Sequence, residues 1–176
     1  LAPSPWFADA IKGIPFESLF HVIPPDQGGL FETFGRPSNE IIIEYTLSEE
    51  FVYIFLISSR KFEVKKVTID KTLVQDIFNL RDNLDFRHVP EYNYQDFMEY
   101  QITAFKLYSK LIQPVASSLE EKKVIIIPDE ELNYLSFESL VKDIILSDTI
   151  VFRNLPYFIK TNPISYAPSA TIFAMI

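Results

Sequence analysis

The chain of 176 residues contains no cysteine. Disulfides and thiolate metal ligands are therefore excluded, and so is a thiolate nucleophile supplied by these residues. Glycine is almost as scarce, with four in total and none after Gly35. A phosphate-cradling loop, a dinucleotide fingerprint and a Gly-x-Ser-x-Gly elbow all need glycine at tight turns, so nucleotide-dependent and serine-hydrolase chemistry lose their support. His21 and His88 are the sole histidines. Neither has a second histidine or spaced carboxylates in a zinc-site pattern, and each is assigned a surface or loop-packing role. No metal and no cofactor are expected.

Positive charge is thin: 16 Lys and Arg stand against 24 Asp and Glu, for a net charge of −8. No basic cluster is present, and an acidic chain repels phosphate backbones, so nucleic-acid binding is not expected. The longest strongly apolar run, Phe51 to Ile57, is far short of the ~20 residues a membrane-spanning helix needs. No membrane association is expected. No basic segment followed by an apolar one opens the chain, and with the missing cysteine this points to a cytoplasmic setting.

What is present suffices for a folded domain, since 48% of residues are apolar and 15% aromatic. Residues 1–39 hold six of the twelve prolines and all four glycines, which makes them a mostly irregular lead-in. Trp6, Phe7, Ile11, Phe16, Leu19, Phe20 and Val22 are too apolar for a free linker and should dock on a neighbouring surface. From Glu40 the character changes. Ile41 to Tyr45, Phe51 to Ile57 and Phe62 to Ile69 are β-branched and aromatic runs that predict an antiparallel meander, its third strand at an edge.

Asp70 or Thr72 is placed to cap a helix running to about Leu84, and Phe97, Tyr100, Ala104, Leu107 and Leu111 form the apolar stripe of a second, longer helix that ends or kinks at Pro114. Val124 to Ile127 has no polar alternation, which predicts a strand of a parallel sheet covered on both faces and set at the centre of the fold. Beyond it, Leu132 to Lys142 predicts a loop and short helix, Ile150 to Ile159 predicts extended segments, and Ile164 to Tyr166 predicts a short strand. Ser169 caps a further helix start. The apolar Ile172 to Ile176 follows with no stop signal, and the domain is expected to be incomplete at its C-terminus.

Three ordered motifs carry a family resemblance: Lys123-Val-Ile-Ile-Ile-Pro-Asp-Glu-Glu-Leu, then Leu135-Ser-Phe-Glu-Ser-Leu, then Ile164-Ser-Tyr-Ala-Pro-Ser-Ala-Thr. Together they resemble the front half of a CHAT domain, the caspase- and separase-related domain often found behind tetratricopeptide repeats. The likeness covers residues 40–176. It departs from the family pattern at Glu130, where glycine is usual, and at Ser136, where proline is usual. The resemblance implies an antiparallel meander and helices leading into the first strands of a caspase-like α/β/α sandwich. It also implies a later His/Cys dyad acting as base and nucleophile on a peptide bond, with both residues beyond this chain. Protein or peptide substrates or partners follow from the same resemblance, engaged directly or through repeats in the parent. A non-catalytic interaction scaffold on the same fold is the alternative, and a small complete ligand-binding domain is a third.

Within these residues, Asp129, Glu130 and Glu131 follow the parallel strand at its carboxyl end, where open α/β sheets bind ligands. With Tyr166 and Ser169 they are the candidates for lining a substrate cleft. The competing roles are structural: Asp129 turning the chain after Pro128, the two glutamates solvated, Tyr166 packed and Ser169 capping.

Overall fold

The computed structural model describes residues 39–58, 61–84 and 93–168. His21, His88, Ser169 and the lead-in lie outside the described residues.

Five strands form one mixed sheet. Strands β1 (Glu40–Leu47), β2 (Phe51–Ile57) and β3 (Phe62–Thr68) make the expected meander, followed in the chain by α1 (Leu73–Asn83), α2 (Tyr94–Leu111), β4 (Lys123–Ile127) and β5 (Ile164–Tyr166). The spatial order is β3-β2-β1-β4-β5. The β1–β2 and β2–β3 pairs are antiparallel, whereas β4 runs parallel to both β1 and β5. β3 is an edge strand as its open alternation predicts. The central position belongs to β1 rather than to β4, because β4 enters the sheet on the outer side of the meander.

Alternation along each strand assigns one face to the main core. Ile41, Ile43 and Tyr45 on β1 join Val52, Ile54 and Leu56 on β2 and Val124 and Ile126 on β4. Both helices pack on that same face. Leu73, Ile77 and Leu80 come from α1, and the stripe Phe97, Tyr100, Ala104, Leu107 and Leu111 comes from α2. Ile42, Ile125, Ile127 and Ala167 gather in a smaller cluster on the opposite face. The run Val124 to Ile127 is thus buried on both sides, which explains its lack of polar alternation.

Local chemistry sets the helix ends. Asn93 caps α2 through a reciprocal box, its side chain accepting from the Asp96 amide at 3.0 Å while Asp96 accepts from the Asn93 amide at 3.2 Å. Thr72 occupies the cap position of α1 without a side-chain cap bond. Its hydroxyl donates instead to Asp70, at 2.6 Å, and accepts from Lys106. With the Lys110–Asp70 and Lys106–Asp76 ion pairs, both 2.6 Å, this group locks α1 against one flank of α2. Pro114 does end the helix, and a 3₁₀ stretch over Gln113–Ser118 follows.

The long connection between β4 and β5 is built differently from the sequence expectation. Where a loop and short helix are expected over Leu132 to Lys142, two 3₁₀ turns stand instead, Glu130–Tyr134, which begins ahead of that stretch, and Phe137–Ser139. The polar-broken extended segments expected over Ile150 to Ile159 are interrupted by 3₁₀ turns at Phe152–Asn154 and Phe158–Lys160, with extended backbone kept at Leu155 and an isolated bridge between Val141 and Tyr157. Pro156 interrupts strand pairing there, and Lys160 Nζ donates to the Arg153 and Leu155 carbonyls at 2.6 and 2.8 Å, closing the turn.

Candidate functional site at the carboxyl edge of the sheet

Because β1, β4 and β5 run parallel, their carboxyl ends open on the same edge of the sheet, and four of the five predicted cleft residues stand there. Asp129 follows β4 after Pro128. Its Oδ2 accepts a hydrogen bond from the Leu47 amide at 2.9 Å, tying the end of β1 to the turn after β4. Glu130 comes next with φ 46°, the left-handed conformation that favours glycine. The position where the resemblance expects glycine thus keeps the backbone geometry of a glycine. Asn133 Nδ2 donates to the Glu130 carbonyl at 2.9 Å and holds the turn.

Carboxylates crowd this edge. Glu44 sits opposite Ile127 in the β1–β4 register, and its carboxyl is raised above the ordinary range, first by burial and then by Asp129. The Glu130 carboxyl is raised by desolvation and then by the neighbouring Asp129 and Glu131. A lone carboxylate inside the apolar run Ile41 to Tyr45 is the sequence signal that could have brought Glu44 into the candidate set.

Tyr166, at the end of β5, is committed to the fold. Its hydroxyl accepts from the Phe137 amide at 3.1 Å and donates to Glu138 Oε2 at 2.6 Å. Its ring meets Phe137 edge-on at 6.4 Å, and Phe137 stacks on Tyr45 at 5.4 Å. Burial, followed by the Glu138 bond, pushes the Tyr166 hydroxyl well above its ordinary pKa. The chain of bonds continues inward. Ser139 Oγ donates to the Ser136 carbonyl at 2.6 Å, and the Tyr100 hydroxyl of α2 donates to the Ser139 carbonyl at 2.8 Å.

Ser136, the second departure from the family pattern, has φ −80° and ψ 100°, and Leu135 before it has ψ 124°. Both are conformations that proline accepts and imposes. The loop therefore keeps the backbone of a Leu-Pro-Phe segment without the proline.

A hollow among the described residues lies elsewhere. A pocket of 660 Å³ bounded by Tyr108, Leu119, Lys142, Phe158 and Asn162 opens at the amino end of β4 and β5. Its polar lining is largely satisfied from within, because Asn162 Nδ2 donates to the Leu119 and Lys122 carbonyls and Lys142 Nζ donates to Thr161. None of the predicted cleft residues lines it. Among the described residues no group of three or more His, Cys, Asp or Glu side chains is placed to hold a metal ion, and no helix is long and apolar enough to cross a membrane.

Chemically, the carboxyl edge offers anchored and partly desolvated carboxylates. Asp129 Oδ2 and the Tyr166 hydroxyl are engaged in structural bonds, and among the described residues Glu130 and Glu131 are the other predicted cleft residues at this edge. No family model matches the chain, and comparison with curated proteins gives no match.

Proposed function

We propose that this chain is the amino-terminal part of a CHAT-like domain, forming the opening sheet of a caspase-like cysteine peptidase whose His/Cys dyad lies outside these residues. The observation that carries the reading is the meeting of the motif segments. The Pro128-Asp129 turn, the Phe137 turn and the Tyr166 strand end are scattered over 38 positions of sequence, yet all gather at one edge. Two of them are joined by the Tyr166–Phe137 bond. The positive φ at Glu130 and the proline-compatible Ser136 add to this, since both departures retain the backbone that the family residues would demand. With no cysteine, these residues contribute the platform rather than the nucleophile.

Extending the coding sequence past Ile176 tests the proposal. A histidine and a cysteine at the ends of two apolar strands within about 100 residues, a typical domain's worth, are expected. Their absence ends the peptidase reading. Labelling of the purified parent with a thiol-reactive probe adds a functional test, because an activated cysteine reacts at a pH where ordinary thiols are protonated.

The interaction-scaffold reading draws on a different observation. Asp129 and Tyr166, both predicted to line a cleft, spend their polar atoms on Leu47, Phe137 and Glu138. An edge held shut in this way serves a rigid platform better than a substrate cleft. A parent protein with no hyper-reactive cysteine supports this second reading.

A further inference from the structure

The pocket at the amino end of β4 and β5 takes no part in the reading above. Its 660 Å³ falls within the range of about 300–1,000 Å³ usual for small-molecule sites. Stretches far apart in sequence meet to build it: the end of α2 with the 116–121 turn, Lys142, and the 158–162 turn.

Internal bonds fix these walls. Asn162, 6% exposed, donates from Nδ2 to the Leu119 and Lys122 carbonyls, and its Oδ1 accepts from Thr161 at 2.9 Å. The Phe158 amide donates to the Leu140 carbonyl at 2.8 Å and the Lys142 amide to the Pro156 carbonyl at 2.9 Å.

Other polar groups of the same pocket are left over. Tyr108 is only 8% exposed and its ring packs against Phe158 at 6.1 Å, yet its hydroxyl has no hydrogen-bond partner among the described residues. Burial raises the pKa of that hydroxyl, so it is a proton donor at neutral pH. Lys142 Nζ donates to Thr161 at 3.2 Å, keeps two further protons, and meets no carboxylate among the described residues. Glu120 and Glu121 line the same pocket and are likewise without a cation.

Charges of both signs thus line one hollow without pairing with each other, beside an apolar surface of Ala116, Leu119 and Phe158. A simple anion would be repelled by the glutamates and a simple cation by Lys142. A purely apolar molecule would leave the desolvated Tyr108 hydroxyl without a partner. A ligand that carries both charges and an apolar body meets all three demands.

We infer that this pocket binds a short peptide of two or three residues with free ends. Its carboxylate is taken by Lys142 Nζ and the Tyr108 hydroxyl, its ammonium by Glu120 and Glu121, and an apolar side chain lies on Phe158 and Leu119. A single amino acid has the same two charges, but the pocket is far larger than one. The inference goes beyond the CHAT reading and holds for a peptidase or a scaffold alike.

The test is isothermal titration calorimetry of the full chain with leucyl-leucine. Three comparison ligands accompany it: leucyl-leucinamide, which lacks the carboxylate, N-acetyl-leucyl-leucine, which lacks the ammonium, and free leucine. Saturable binding of leucyl-leucine is expected, weakened about tenfold or more when either end is blocked. Lys142→Met should weaken leucyl-leucine by a similar factor and leave leucyl-leucinamide unchanged, a split that mere damage to the pocket would not produce. Tyr108→Phe keeps the ring and should show the same selective loss. Glu121 holds φ 55°, a conformation that favours glycine, so Glu121→Gly removes the carboxylate without disturbing the turn. It should weaken leucyl-leucine but not N-acetyl-leucyl-leucine, with the urea midpoint kept or raised. Lys71→Met, exposed ahead of α1, should change nothing. No saturable heat with leucyl-leucine, equal affinity for the blocked dipeptides, or wild-type affinity in Lys142→Met overturns the inference. Tighter binding of free leucine than of leucyl-leucine overturns the assignment to a peptide.

Discussion

Asp129 Oδ2 accepts the Leu47 amide proton at 2.9 Å across 82 positions of sequence. This single bond closes the carboxyl end of the β1–β4 pair, where the ladder has run out and the Leu47 amide would otherwise lack a partner. Leaving such a group without a partner costs about 1–3 kcal/mol. Asp129→Ala is expected to lose that much in chemical denaturation, whereas Asp129→Asn, which keeps an oxygen at the same place, should lose clearly less. Equal losses would mean that the bond contributes nothing of its own.

Glu130 and Ser136 give a paired stability test. Glu130→Gly places the residue without a Cβ at φ 46° and should stabilise the chain by up to about 1 kcal/mol. Ser136→Pro fixes a φ that the backbone already has and should add about 0.4–1 kcal/mol by restricting the unfolded chain. Urea midpoints of both single variants measure this. A drop in either would show that the loop uses its present side chain for more than backbone geometry.

Glu44 sets a pH dependence with a definite sign. Its folded-state pKa is raised, by burial and then by Asp129, so the folded chain holds the proton more tightly than the unfolded one. The stability tied to Glu44 is complete below the ordinary glutamate pKa of about 4.3 and is lost as pH rises through the raised value. Glu44→Gln should therefore raise the melting temperature at neutral pH and remove part of the decline between acidic and neutral pH. A slope unchanged by the substitution would place the titration elsewhere.

Tyr166→Phe keeps the ring against Phe137 and deletes the hydroxyl. The Phe137 amide then loses its acceptor and Glu138 its donor. A loss of about 1–3 kcal/mol is expected, accompanied by faster hydrogen exchange at Phe137 than at the Ile125 amide in mid-sheet. Unchanged exchange at Phe137 would argue that the amide finds another partner.

How much of this was legible beforehand depends on whether the signal is periodic. The α2 core stripe repeats at helical spacing, so its buried face could be read directly. β2, in contrast, is apolar at every position and alternates only in burial, so its sequence marked a strand without marking the face the core takes. The 3₁₀ turns at Phe152 and Phe158 could not be read, since three-residue turns have no period to detect and Val151 and Phe152 resemble strand residues. Gln101 shows a second limit. A polar residue in mid-helix suggests surface, yet it is fully buried because its amide satisfies both backbone groups of Ile145, 44 positions away. At the candidate site, the placement of Asp129 to Glu131 and Tyr166 on one edge followed from strand direction. Their engagement with Leu47, Phe137 and Glu138 did not, because those partners come from other segments of the chain.

The mixed sheet also sets an order of events during synthesis. β1, β2 and β3 are near neighbours in sequence and can pair as soon as they emerge, but the partner of β1 on its other side, reached through the Glu40–Lys123 register, is made 83 residues later. Until residues 123–127 leave the ribosome, β1 presents an open edge bearing Ile41, Ile42 and Ile43 to whatever is nearby. A nascent chain paused in that interval has a ready template for pairing with the wrong strand.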